Sequence, residues 1–145
     1  MGVSFPLPAG WIGKPPSNSM RLAEADVPGP AGDATKACLV VFSTAGGSVD
    51  DNIARWAGQV RDPKGQPVAA TPQKRTVAGL PVTVVEMTGS YAGMGGGEPQ
   101  PNYTLRAAIV ESPAGLIFIK MTGPAEQMSA NAPAFNAMID GLTKP

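Results

Sequence analysis

Histidine is absent from the 145 residues, and cysteine occurs once, as Cys38. No disulfide can form within the chain, and zinc sites built from Cys and His are excluded. Ser–His–Asp and Cys–His catalysis are excluded as well, because both need an imidazole base near neutral pH. Cys38 lies inside the apolar run ACLVVF, which predicts a small buried hydrophobe rather than a nucleophile.

Charge is also scarce. Eleven basic and eleven acidic residues cancel, and they are scattered along the chain. Nucleic-acid binding draws its affinity from a basic face that neutralises phosphate, so no nucleic-acid partner is expected. No apolar run approaches the about 18 residues of a membrane-spanning helix. Met1-Gly2 resembles a myristoylation start, but Pro6 stands where Ser or Thr is required. No signal peptide precedes VSFPLPAGW, and a chain opening on its first strand fits a leader already removed.

What is present suits one domain spanning 1–145. Domains of this size bury roughly two-thirds of the unfolded surface, and 43% hydrophobic residues supply the core. Eighteen Gly and sixteen Pro favour strands, turns and irregular connections over a helical bundle.

VSFPL and GWIGK read as extended segments around a PAG turn. SMRLAEADV alternates, with Met20 and Leu22 on one side and Arg21, Ala23, Ala25 and Val27 on the other. ACLVVFSTA, residues 37–45, is an apolar β-forming run that predicts a strand covered on both faces. GGSVDDNIARWAGQV is the clearest helix. Ser48 is placed to cap it, Asp50 and Asp51 oppose its dipole, and Ile53, Trp56, Ala57 and Val60 make an apolar stripe.

Ala78-Gly79 predicts a hairpin turn into an arm, Pro81 to Tyr91, where Val82, Val84 and Glu86 alternate with Thr83, Val85 and Met87. A second hairpin turns at Pro113-Ala114, opposing Ile109 to Phe118 and Ala107 to Lys120. One face then carries Tyr103, Leu105, Ala107, Ile109, Phe118 and Lys120. The other carries Arg106, Ala108, Val110, Ile117, Ile119 and Met121. Two apolar faces need cover on both sides. The first helix and the C-terminal segment can provide it. Pro133 predicts a break there, giving a short helix over 124–130 and a second capped by Asn131. The expected fold is α+β, a central antiparallel sheet sandwiched between these helices.

This order of elements, with the opening FPLPAGW, resembles the PsbP-like superfamily. That superfamily is named for an extrinsic protein of the photosystem II oxygen-evolving complex and includes an import factor that binds the Ran GTPase. The stretches GGSVDDNIARWAGQV, TGSY, PNY and KMTGP are similar to bacterial members that are usually exported or lipid-anchored. The resemblance implies an α/β/α sandwich, a place in the bacterial envelope (the alternative being the cytoplasm), and a binding or accessory role with varied partners. It carries over no metal-associated residue.

Few motifs point to chemistry. AGMGGGE contains Gly-x-Gly, but Pro99, Pro101 and a strand follow it, not the helix a phosphate loop opens. Ser48 and Ser90 lack both the G-x-S-x-G frame and a His to activate them. Met87, Met94 and Met121 could offer thioethers to Cu(I), yet their spacing reads as core filling, and no metal or cofactor is expected.

Two readings stay open. In the first, the loop 89–103, rimmed by Tyr91 and Tyr103 and carrying Met94, recognises a protein or small ligand without catalysis. In the second, Lys120, which interrupts an apolar strand, lines a cleft with Glu86 or Glu111 as an enzyme or small-anion site. Arg106 interrupts the opposite face in the same way.

Overall fold

The structure is a computed structural model that describes residues 5–8, 10–15, 21–27, 38–44, 46–62, 64–66, 68, 72–91, 100–113 and 115–143. Three short elements come first: β1 (Ile12–Lys14), β2 (Arg21–Val27) and β3 (Cys38–Thr44). The sequence predicts an extended segment before Trp11 as well, but Phe5–Pro8 has no regular structure. The helix α1 (Val49–Ala57) begins where its cap was expected, with Ser48 Oγ accepting from the Asp51 N–H at 3.0 Å.

This helix ends sooner than the apolar stripe implies. Gly58 donates back to the Ala54 carbonyl, and Gln59 donates to the Trp56 carbonyl, which turns the chain out of the helix. Val60 is buried, but from the two-residue strand β4 (Val60–Arg61) rather than from a fourth helical position.

Four further strands complete the sheet, β5 (Gln73–Val77), β6 (Leu80–Tyr91), β7 (Gln100–Ser112) and β8 (Gly115–Pro124), followed by α2 (Ala125–Asp140). The strands form one antiparallel sheet in the order β1-β2-β3-β8-β7-β6-β4, and β5 pairs with the first half of β6. Ala78 and Gly79 both take positive φ, 52° and 79°, as a two-residue turn matching the strand twist requires. The second hairpin has the expected register, with Ile109 opposite Phe118 and Ala107 opposite Lys120.

Each sheet face buries its own cluster. Val40, Val82, Ala108, Val110, Ile117, Ile119 and Met121 are buried with Met128, Phe135, Met138 and Ile139 of α2. Val85, Met87, Leu105, Ala107, Ile109 and Phe118 are buried with Ile53 and Trp56 of α1. The Trp56 and Phe118 rings meet edge-on, 5.3 Å apart between centroids.

The predicted break at Pro133 is absent, and α2 is one continuous helix of 16 residues. Proline removes the N–H that would reach the Ser129 carbonyl, and its ring crowds that carbonyl. Both residues are on the exposed side, where water can satisfy that carbonyl. Met128, Phe135, Met138 and Ile139 meanwhile bury one stripe on either side of the proline. Asn131 caps nothing. Its side-chain amide donates at 2.8 Å to the Gln127 carbonyl inside the helix.

Candidate functional site

The strand ends flanking residues 92–99 converge on one edge of the α1 side of the sheet. Tyr103 stands opposite Gly89, and Tyr91 pairs with Gln100 on β7 and with Val60 on β4. The register slips between Gly89 and Tyr91, with the extra residue on β7, while alternation along β6 and the pairing of Gly89 with Tyr103 put both tyrosines on one face. Gly89 has a local cause: a Cβ there would collide with the Arg61 carbonyl oxygen of β4. Asn102, next to Tyr103, takes a left-handed φ of 56°, a conformation Asn tolerates better than most residues.

The two rings lie nearly parallel, 3° apart in plane and 6.3 Å between centroids, and both are half-buried. Lys120 reaches toward them from β8, with Nζ 5.9 Å from the Tyr91 ring centroid, within cation–π range. The structure therefore brings Tyr91, Tyr103 and Lys120 together. Met94 lies outside the described residues.

Glu86 and Arg106 are elsewhere. They oppose each other across β6 and β7 on the α2 side, and Arg106 donates to Glu86 and to Asn136 of α2. The Arg106 guanidinium also sits 5.5 Å from the centre of the Phe135 ring. Lys120, paired with Ala107, projects from the opposite face. Glu111 shares the Lys120 face but stands four residues beyond Ala107 along β7, roughly 13 Å away. The cleft imagined between Lys120 and either carboxylate is corrected on both counts: one carboxylate is behind the sheet and the other is at its far end.

Sequence reasoning missed Glu24 and Asp26. Register carries Glu24 through Val41 to Lys120, and Asp26 through Leu39 to Thr122, so both acids share the face of Lys120. Glu24 is only 3% exposed. The signal was available in RLAEADV, where these acids alternate with the core residues Ala25 and Val27. Among the described residues, no three Cys, Asp or Glu side chains gather to hold a metal ion. No helix among them is long and apolar enough to cross a membrane.

No protein-family model matches the chain, and no curated protein matches it. Solved structures do. LpqN of Mycobacterium tuberculosis, involved in cell envelope biogenesis, superposes with a TM-score of 0.65 at 15% identity, over 99% of this chain and 83% of LpqN. The cyanobacterial PsbP of Synechocystis sp. PCC 6803 gives 0.62 at 15% identity, over 99% of this chain and 87% of that one. PA94 of Pseudomonas aeruginosa, a protein of unknown function, gives 0.57 at 13% identity, over 91% and 89%. The fold is PsbP-like, with bacterial members among its neighbours.

Proposed function

We propose that the chain is a non-catalytic binding or accessory module of the bacterial envelope. Its recognition surface is the Tyr91–Tyr103 edge, together with Lys120 and the 89–103 segment that includes Met94. The observation that carries this reading is the parallel tyrosine pair, half-buried and approached by an ammonium group, at the base of a Gly-rich connection. Two parallel rings on neighbouring strand ends, beside a register slip and a left-handed Asn, offer aromatic contact area of the kind that anchors recognition. The envelope placement is supported by the structural likeness to LpqN. In the same reading the sheet lies between α1 and α2 as an α/β/α sandwich, supported by the separate clusters each helix buries.

The test replaces Tyr91 or Tyr103 with a photo-crosslinking amino acid in the cells that make the protein. Ser129, exposed on α2, serves as the control position. A discrete adduct from both tyrosine positions and none from Ser129 is expected, and Tyr103→Ala should abolish the adduct formed at 91. Equal adducts from Ser129, or none from either tyrosine, would overturn the reading.

A further inference from the structure

The tyrosine edge continues into a half-exposed track across the α1 side of the sheet. Helix α1 packs over β4 and β6, where Ile53 and Trp56 are buried with Val60 and Met87. Away from the helix, register runs from Leu105 through Thr122 and Leu39 to Asp26, and ends at Ile12. Thr122, Leu39 and Asp26 are half-buried, and Ile12 is 57% exposed. Tyr103 is the next residue after Leu105 on this face of β7. The track therefore starts at the ring pair and reaches Asp26 three strands away, roughly 15 Å.

Two features select the partner. The first is spacing. The Tyr91 and Tyr103 rings are parallel within 3° and 6.3 Å apart between centroids. A polyproline II chain advances about 3.1 Å per residue, so alternate residues stand about 6.2 Å apart, one for each ring. Such a chain is already extended before it docks, so it loses little entropy on aromatic surfaces.

The second feature is charge. Lys120 Nζ lies 5.9 Å from the Tyr91 ring centroid and makes the tyrosine end positive. Thr122 and Leu39 leave the middle of the track uncharged, and Asp26 makes the far end negative. A basic side chain is repelled at the first end and attracted at the last, where Ile12 offers apolar surface to its methylenes.

We propose that this track docks a proline-rich segment of a partner protein in polyproline II conformation, with prolines on Tyr91 and Tyr103 and a basic residue at Asp26. The proposal rests on the tyrosine-edge reading and names its partner class. Roughly 15 Å is about five residues of such a chain, which sets the separation between the proline on Tyr103 and the basic residue.

The test is an amide-resolved NMR titration of the whole chain with decaproline, with decaproline carrying Arg at either end, and with a Gly-Ser peptide of equal length. Saturable shifts at Gly89, Tyr91, Tyr103 and Thr122 are expected with the proline peptides and none with Gly-Ser. One Arg-ended form should bind at least threefold tighter than decaproline, and Asp26→Asn should remove that gain alone. Tyr103→Ala should weaken all proline peptides about tenfold, whereas Tyr103→Phe, which keeps the ring, should retain them. Four results overturn the proposal: no saturation with any proline peptide, equal binding of Gly-Ser, normal binding by Tyr103→Ala, or saturation of the same amides by chitotetraose instead. If adducts still form from positions 91 and 103 while the proline peptides fail, the tyrosine surface stands and only this partner class falls.

Discussion

Arg106 of β7 and Phe135 of α2 are stacked, the guanidinium 5.5 Å from the ring centre, where an apolar sheet face would otherwise carry an unmatched charge. The same guanidinium donates to Glu86 and Asn136, so one side chain ties two strands to the helix. Its side chain is 12% exposed, whereas that of Glu86 is 47% exposed. The asymmetry sets the mutational costs. Arg106→Ala should destabilise by about 2 kcal/mol, through lost stacking and abandoned partners. Glu86→Gln should cost less than about 1 kcal/mol, because water already shares that carboxylate. Urea unfolding of both variants checks the order, and equal losses would contradict it.

Gly123 and Cys38 touch across β8 and β3. A Cβ added at Gly123 would collide with the Cys38 sulfur. Gly123→Ala should therefore destabilise by about 1–3 kcal/mol, the range for overpacking a filled core. Combining it with Cys38→Ala removes the nearest obstructing atom, the sulfur, and leaves the Cβ and Cα of residue 38 at 3.0 and 3.1 Å. The double variant should then recover about 1 kcal/mol relative to additive losses in a double-mutant cycle.

Burial pushes the Cys38 thiol from 9.0 up to about 11. The folded pKa is raised, so the contribution to stability is fully present below pH 9.0 and is lost as pH rises toward 11. Wild type should lose more stability over that window than Cys38→Ala, measured by chemical denaturation at each pH. The native thiol should also react with maleimide at pH 8 far more slowly than the unfolded one.

The sheet was legible because its two hairpins announce themselves locally. Ala78-Gly79 and Pro113-Ala114 are turn pairs, and alternation on either side leaves one register that keeps Ile109 and Phe118 together. The α1 start was legible for the same reason, since Ser48 and the acids after it act within one turn. The site was harder to read. Which face Glu86 occupies relative to Lys120 depends on three strands in series, and a short sequence pattern does not sum them. Val60 follows Trp56 at helical spacing, and a buried residue there is indistinguishable in sequence from one on the next strand, where it lies. Stacking of Tyr91 on Tyr103 lies where β4 packs against Gly89 and the β6–β7 register slips, and the Gly89–Arg61 contact joins residues 28 apart in sequence that no local pattern links.

Pro133 is where local preference and tertiary packing disagree. A proline in a helix interior costs about 3 kcal/mol relative to alanine, yet α2 runs through it unbroken. The helix persists because Met128 before the proline and Phe135, Met138 and Ile139 after it are all buried in the same cluster. Local cost and tertiary gain are then separable by mutation. Pro133→Ala restores the N–H facing the Ser129 carbonyl and changes nothing in the core, since position 133 is exposed. It should stabilise the protein by about 1–3 kcal/mol, less whatever the more flexible unfolded chain gains in entropy. The amide at 133 in that variant should be protected from hydrogen exchange. A loss of stability, or an unprotected amide there, would show that the proline is accommodated by a distortion the helix needs.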